Sequence, residues 1–335
     1  MISSINMTDC RYDAARYSSP QDFNEFYENF GLNGIELMFM GEDFSLPKVL
    51  SNAIINGLHL NCLNSLIDLL LNDKEALIRE YGSLEECKHH TGCQNREDLI
   101  KKYQAQLNIA EKLKVKYVVF HVSDVTLWES VNYTQRYSDK EIVLAFADFI
   151  NTLTENKNYS FDFLCENLWW AGMNLKSPEI TELTMNSINY KNKGIMLDTG
   201  HLMHLNNDLK TEDEAVDFIL DVLNKHLSVL PYIKGIHLHK SLTGAYVKEN
   251  LQNPIKLSGN YSDKMTQTMM FIYGIDTHKA FTTPRACEII KKINPKYLTH
   301  EFISSSRAEH YELISKQLNS IGQKQNFRGE HFGYK

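Results

Sequence analysis

Eight short apolar runs, each followed by a stretch with the spacing of an amphipathic helix, recur along this chain. Runs such as YVVF, GIML and IKGI contain no polar alternation, which is typical of parallel strands buried on both faces. The pattern predicts strands at 2–7, 34–40, 58–63, 117–122, 162–167, 193–198, 233–239 and 297–302.

The stretches between these runs carry one apolar stripe each, as at Leu99, Tyr103 and Leu107. A helix with one apolar stripe needs a sheet to cover it, so eight such units predict a single (βα)8 TIM barrel of the α/β class. A doubly wound open sheet is the alternative, but no GxGxxG loop follows the first strand. Helix starts are predicted from Ser-Pro or Thr-Pro pairs and capping boxes at Ser19–Pro20, Ser177–Pro178, Thr283–Pro284, Ser138/Glu141 and Thr211/Glu214.

The barrel is expected to span 1–322, with a polar C-terminal tail at 323–335. Two segments, about 64–97 and 241–282, are too long for simple connections, and the first contains a predicted helix at 65–71. Both follow the C-terminal ends of predicted strands, where barrel enzymes build their substrate sites. We therefore expect them to cover the substrate.

The composition argues against several partners. The formal charge is -7, and neither the eight arginines nor the lysines form a dense basic run, so surface charge does not support DNA binding. A charged-then-apolar leader and an apolar stretch of membrane-spanning length are both missing, so no membrane and a cytoplasmic location are expected. Cys62 and Cys165 fall within predicted strands, which predicts buried free thiols. No organic cofactor is evident.

Candidate metal ligands stand where the predicted strands end. Because the strands of a closed barrel direct their C-terminal side chains to a common mouth, these imidazoles and carboxylates should converge, and burying them together without a cation would cost many kcal/mol. The pattern therefore predicts a site for more than one divalent ion. The candidates are His59, His121, Glu166, Asp198, His201, His237, the Asp276/His278 pair and Glu301.

These positions resemble the xylose-isomerase-like superfamily of barrels, which includes endonuclease IV, and the resemblance covers nearly the whole chain. Members with one metal take it from a Glu, an Asp, a His and a final Glu, which Glu166, Asp198, His237 and Glu301 match in order. Endonuclease IV and its closer relatives add two early histidines, a DTxH pairing and a later DxH. The additions are matched by His59, His121, Asp198-Thr199-Gly200-His201 and Asp276-Thr277-His278. The resemblance implies two or three zinc, manganese or iron ions.

The chain also departs from that pattern. The DxH lies in a longer insertion, LNCLN stands where endonuclease IV has Ala-Pro-Tyr, and Trp169-Trp170 replace a small, glycine-containing run. The two tryptophans are candidates to stack on a substrate, or else to pack under a loop. Further candidates for substrate binding are Glu36, His239 and Lys240, and for anion binding Arg285 and Arg307. His204 and His300 adjoin candidate ligands but are expected to point away from them, as packing groups or as partners that support a ligand.

Three reaction classes remain open. Hydrolysis of a phosphoester is favoured, with Glu166 and Glu301 as metal ligands or as the base. A sugar isomerase or epimerase would use Glu166 and Glu301 as its acid–base pair and His201 to bind substrate. The third class is a multinuclear iron oxidase of a peptide. A small polyhydroxy or phosphorylated substrate is expected, and DNA is possible but unsupported by charge.

Overall fold

The computed structural model describes residues 1–41, 44–62 and 65–322, so the predicted tail at 323–335 lies outside the described residues. Eight parallel strands close into a barrel in chain order, and β8 pairs with β1. The predicted single (βα)8 barrel is therefore confirmed. The strands are β1 (Ile2–Thr8), β2 (Gly34–Met38), β3 (Ile55–His59), β4 (Tyr117–His121), β5 (Asp162–Glu166), β6 (Lys193–Asp198), β7 (Ile233–Leu238) and β8 (Tyr297–His300).

Helices surround the barrel and also build the two long segments. Within the described residues they are α1 (Arg11–Ala14), α2 (Pro20–Asn29), α3 (Leu66–Leu71), α4 (Lys74–Tyr81), α5 (Leu84–Thr91), α6 (Arg96–Leu113), α7 (Leu127–Asn132), α8 (Asp139–Thr154), α9 (Pro178–Ser187), α10 (Thr199–Met203), α11 (Glu212–Lys225), α12 (Gly244–Gln252), α13 (Tyr261–Ile275), α14 (Ala286–Ile293) and α15 (Arg307–Ser320). None of them combines the length and apolar content needed to cross a lipid bilayer.

Most of the predicted helix starts are confirmed. Ser19 and Ser177 cap α2 and α9 ahead of a proline, and both capping boxes, at α8 and α11, are present. The start at Thr283–Pro284 is wrong, because α14 begins at Ala286. The Thr283 hydroxyl donates to Asp213 at 2.6 Å and accepts from the backbone N–H of Arg285 at 3.3 Å, so it is bonded in the turn before α14.

The prediction for the third strand was wrong at its end. β3 stops at His59, because the backbone N–H of Asn61 donates to the Gln106 side chain at 2.9 Å and leaves the sheet. Cys62 consequently lies beyond the strand with an exposed side chain, whereas a buried thiol was expected. Cys165 is buried in β5, as predicted.

The barrel interior is filled below its C-terminal mouth by a small cluster that includes Tyr117, Leu164, Met196 and Tyr297. The Tyr117 ring passes so close to Gly57 that a Cβ there would lie 2.3 Å from it, so only glycine fits. A larger apolar core lies between the strands and the surrounding helices. With this part of the interior packed, the mouth is the end of the barrel where a ligand site can form.

The two long segments meet above that mouth. The first contains α3, α4 and α5, and the second contains α12 and α13. Tyr261 of α13 packs against Tyr81 and His90 of the first segment, with ring centroids 4.5 and 4.6 Å apart. The segments thus form a cover on the side of the barrel where the strands end.

Candidate metal centre

All nine candidate ligands predicted from the sequence lie together at the barrel mouth. Strands β3 to β6 each end in one of them, His237 is the penultimate residue of β7, and Glu301 directly follows β8. His201 comes from α10, while Asp276 and His278 come from the end of the second long segment. Their donor atoms form overlapping groups in which all atoms lie within 4.8 Å of one another.

The central group consists of Glu166, Asp198, His237 and Glu301. Nδ1 of His237 lies 3.2 Å from Glu166 Oε1, 3.2 Å from Glu301 Oε2 and 3.7 Å from Asp198 Oδ2. Three carboxylates therefore surround one imidazole nitrogen.

Glu36 fixes the orientation of this histidine. Its carboxylate lies 2.9 Å from His237 Nε2 and also accepts hydrogen bonds from Tyr117 (2.8 Å) and Thr299 (2.9 Å). The hydrogen on Nε2 leaves the Nδ1 lone pair free for an ion, an arrangement common among metal-binding histidines. Glu36 is only 2% exposed and supports His237 from below. It therefore does not face substrate, whereas the sequence had made it a candidate for substrate binding.

The first outer group contains His59, His121 and Cys62. Nε2 of His59 and Nε2 of His121 each lie 3.1 Å from Glu166 Oε2. Nδ1 of His59 is 2.9 Å from the Leu60 carbonyl, to which it donates, so Nε2 is left as the donor to an ion. The two oxygens of Glu166 thus face different groups, Oε1 towards His237 and Oε2 towards the early histidines.

The second outer group contains His201, Asp276 and His278. Oδ2 of Asp276 lies 3.1 Å from His201 Nε2 and 2.7 Å from His278 Nε2. His278 has a φ of 45°, an unfavourable region for a residue with a side chain. Paired backbone hydrogen bonds between Lys240 and Lys279 hold this turn against the end of β7, which is how a distant insertion delivers two ligands.

His239 joins the candidate ligands, although the sequence placed it among the substrate-binding residues. It shares the inward face with His237, its Nε2 lies 2.8 Å from Asp198 Oδ2, and its ring stacks on His278 at 3.9 Å. A Cβ on Gly200 would lie 2.0 Å from the His239 ring, so the glycine of the DTGH run makes room for this histidine. Together, His239, His278 and Glu301 form a fourth group of donors.

These residues fit divalent ions. Each member of the fourth group has a buried atom that makes no hydrogen bond, namely Glu301 Oε2, His239 Nδ1 and His278 Nδ1. Unpaired buried polar atoms are costly, so such a group is suited to receive a ligand. Imidazole and carboxylate donors at such separations suit zinc, manganese or iron.

The charges of the cluster support the same conclusion. Burial lowers the pKa of His121, but Cys62 and Glu166 raise it to about 9. Burial likewise opposes charge on His278, while Asp276 and Glu301 raise its pKa to about 9. Burial raises the pKa of Glu166, yet His121 and His237 hold it well below its usual range. The carboxylates of the cluster therefore favour positive charge here, and bound metal ions would supply it in exchange for these protons.

Several other candidates lie elsewhere. Lys240 pairs with Glu212 and so points away from the cluster, in contrast to its predicted substrate contact. The guanidinium groups are paired as well, Arg285 with Asp217 and Arg307 with Asp22, which removes them as anion sites at the mouth.

The two remaining histidines differ. His300 points away as expected, between Ser3 (3.2 Å) and Gln317 (2.8 Å). His204 does not point away, because it follows a helix and not a strand, and it lies beside the candidate ligand Asp276. At three residues from His201 it shares the same side, and its Nε2 lies 3.7 Å from Asp276 Oδ1.

A cavity of about 560 Å³ opens above the cluster. His121, His201, Asp276 and Cys62 contribute to its wall, and most of the rest is apolar or aromatic. Trp169 and Trp170 both line it, with ring centroids 4.3 Å apart, and each has a buried indole N–H without a hydrogen-bond partner. Among the described residues that line it there is no arginine, and its one lysine is Lys102.

The sequence matches no protein-family model, and no curated protein matches it. Solved structures share its fold. A D-tagatose 3-epimerase-like protein aligns with a TM-score of 0.51 and 14% identity over 96% of this chain and 97% of that chain. The IolI protein, crystallised with a zinc atom, aligns with a TM-score of 0.50 and 14% identity over 98% of this chain and 100% of that chain.

Endonuclease IV from Thermus thermophilus aligns with a TM-score of 0.48 and 11% identity, over 97% of this chain and 100% of that chain. At identities this low the likeness concerns the fold. The first two alignments extend over nearly the full length of every chain, so the likeness covers the whole fold.

Proposed function

We propose that this protein is a metal-dependent enzyme that hydrolyses a phosphoester in a small molecule, using two or three divalent ions. The observation that carries the proposal is the division of Glu166 between two groups. Its Oε1 lies 3.2 Å from His237 in the central group, and its Oε2 lies 3.1 Å from both His59 and His121. A carboxylate placed in this way is suited to bridge two ions, whereas an enzyme with one ion needs only the central group.

Divalent ions bound here would supply Lewis acidity and a water of lowered pKa. In the proposed hydrolysis the oxygen of a water molecule forms a new bond to phosphorus, and the bond from phosphorus to the leaving alcohol oxygen breaks. One water proton passes to a carboxylate and ends on the leaving oxygen. Glu301 is the candidate base, because its side chain is the most exposed of the central group, at 13%.

The cavity supports a small substrate with a flat, apolar part. Its volume of about 560 Å³ is in the range of small-molecule pockets. The unpaired indole N–H groups of Trp169 and Trp170 could each donate to an acceptor on such a substrate. Duplex DNA needs many basic contacts to phosphate, and both the net charge of -7 and the arginine-free cavity lining among the described residues disfavour it.

A sugar isomerase or epimerase is the second candidate. It is supported by the completeness of the central group, which offers three carboxylates and His237 to a single ion. In that reaction Glu166 and Glu301 would exchange a proton with carbon. This alternative uses His201 to bind substrate but leaves His59, His121 and the Asp276/His278 pair without a role, so the number of bound ions separates the two proposals.

The test counts ions per chain by elemental analysis of protein purified without chelators, for the wild type and for His121→Ala and Asp276→Ala. We expect two or three ions in the wild type and about one fewer in each variant. Cleavage of bis(p-nitrophenyl) phosphate should fall by more than roughly 100-fold, beyond the usual cost of losing an outer-shell partner. His89→Ala, in the first long segment and outside the ligand groups, is the matched control.

One ion in the wild type, unchanged in Asp276→Ala, would overturn the hydrolytic proposal and favour the isomerase. Epimerisation of a ketose by the one-ion protein, lost in Glu166→Gln, would then establish that alternative. Cleavage of abasic-site DNA that weakens steeply with salt would instead contradict the small-molecule substrate.

A further inference from the structure

Cys62 has a position that the ligand pattern did not anticipate. It follows His59 by three residues, beyond the end of β3, and its side chain lies at the wall of the cavity. Its Sγ atom is 3.0 Å from Nδ1 and 3.9 Å from Nε2 of His121. The donor atoms of His59, Cys62 and His121 all lie within 4.8 Å of one another.

We infer that Cys62 supplies a thiolate ligand to the ion that His59, His121 and Glu166 would hold. The inference rests on the proposed multinuclear centre and adds a sulfur donor to its first outer group. The resulting set is two imidazole nitrogens, one carboxylate oxygen and one sulfur.

The spacing of the four donors supports this set. Four ligands placed tetrahedrally around zinc at bond lengths of 2.0–2.3 Å lie roughly 3.3–3.8 Å apart. Here Glu166 Oε2 is 3.1 Å from Nε2 of His59 and of His121, and Sγ of Cys62 is 3.9 Å from Nε2 of His121. Small side-chain adjustments close the difference, and Cys62 has the freedom for them because it is exposed.

A rival role is a hydrogen bond from the thiol to Nδ1 of His121, which would only orient the ring. The neighbouring histidine shows how this chain orients a ring by other means. His59 donates from Nδ1 to the backbone carbonyl of Leu60 at 2.9 Å. Serine in place of Cys62 would preserve a hydrogen bond but not a metal–sulfur bond, so the two roles can be separated.

A thiolate would give this group a different metal preference from the others. Soft sulfur ligands favour zinc or iron, while carboxylates and water suit manganese and magnesium. The central and second outer groups offer only nitrogen and oxygen among the described residues. Different ions in different positions of one centre are therefore expected.

The experiment uses Co²⁺ as a spectroscopic substitute, added to chelator-treated full-length protein. Wild type should show a near-ultraviolet thiolate-to-cobalt charge-transfer band, and Cys62→Ser should lose it. Cys287→Ser, a partly buried cysteine on α14, is the matched control and should keep the band. In parallel, Co²⁺ should protect Cys62 from iodoacetamide, as read by peptide mass spectrometry, while alkylation of Cys287 should not change.

Several results would overturn the inference. Two or more Co²⁺ ions per chain without the band and without protection of Cys62 would leave the multinuclear proposal intact and remove only the sulfur ligand. A band that persists in Cys62→Ser would assign it to another thiol. A single bound ion would instead be a failure of the multinuclear centre itself.

Discussion

Both ring nitrogens of His237 face carboxylates, and the two contacts have different consequences. On one side Glu36 fixes the ring through Nε2, and on the other Nδ1 faces three carboxylates. Glu36 is itself held by Tyr117 and Thr299, whose hydroxyl groups belong to the barrel interior. The precision of the central group therefore depends on residues that no substrate or ion would touch.

Glu36→Gln tests this dependence. The amide can also donate to Nε2, which permits the wrong tautomer of His237 and turns its Nδ1 into a donor. We expect a 10- to 100-fold loss of affinity for the central ion, in the range of about one to two orders of magnitude known for such partners. Competition with a fluorescent zinc chelator measures it. Glu25→Gln, on the exposed face of α2, should bind metal like the wild type, and an unchanged affinity in Glu36→Gln would contradict the role.

At the scale of single residues, the ligands at strand ends were predictable from the sequence. A side chain at the C-terminal end of a barrel strand points towards the mouth that all the strands share. His239 and His204 were not placed correctly. The role of His239 depends on the gap left by Gly200, and that of His204 on a single helical turn after β6. Cys62 was misplaced because its apolar neighbours resemble a strand, while the side chain of Gln106 ends that strand.

Arg136 ties the first long segment to the connection between β4 and α8. Its guanidinium contacts Asp68 of α3 at 2.9 Å and Glu129 of α7 at 3.2 Å, and Asp68 is fully buried. Asp124 is 4.0 Å away, and burial raises its pKa to about 7. One partly exposed cation thus balances several buried carboxylates where the first long segment meets this connection.

Arg136→Met should destabilise the protein strongly, since it leaves these carboxylates without their cation. We expect a loss of about 2–4 kcal/mol in the free energy of unfolding, somewhat below a fully buried pair because Arg136 is one-third exposed. Urea-induced unfolding followed by circular dichroism measures it. Arg79→Met removes an exposed pair with Glu75 and should cost less than about 0.5 kcal/mol. Equal effects of the two changes would refute the bridging role.

The order of strands and helices was predictable, because the repeating apolar runs and caps are local signals. The arrangement of the long segments was not. Their meeting at Tyr81, His90 and Tyr261 depends on contacts between residues about 170 positions apart, which no local pattern encodes. The Asp276/His278 pair follows a helix, and its place in the site depends on the pairing of Lys240 with Lys279.

For the molecule as a whole, bound ions would act as part of the fold, because the candidate ligands come from five strands, α10, the second long segment and the residue after β8. Complete chelation should therefore lower the melting temperature by about 5–10 °C, as expected when a ligand bound only by the native state is removed. Differential scanning calorimetry of protein shown to be metal-free measures this change, and added Zn²⁺ should restore it. An unchanged melting temperature would mean that protonated histidines balance the carboxylates equally well.

Closure of the barrel has a consequence for how the protein matures. Glu301 follows β8, the last strand to leave the ribosome, and β8 must pair with both β1 and β7. A nascent chain therefore lacks one corner of the central group until β8 has been synthesised. An ion in that group could be bound by all four residues only after the barrel has closed, so its supply would act on folded protein.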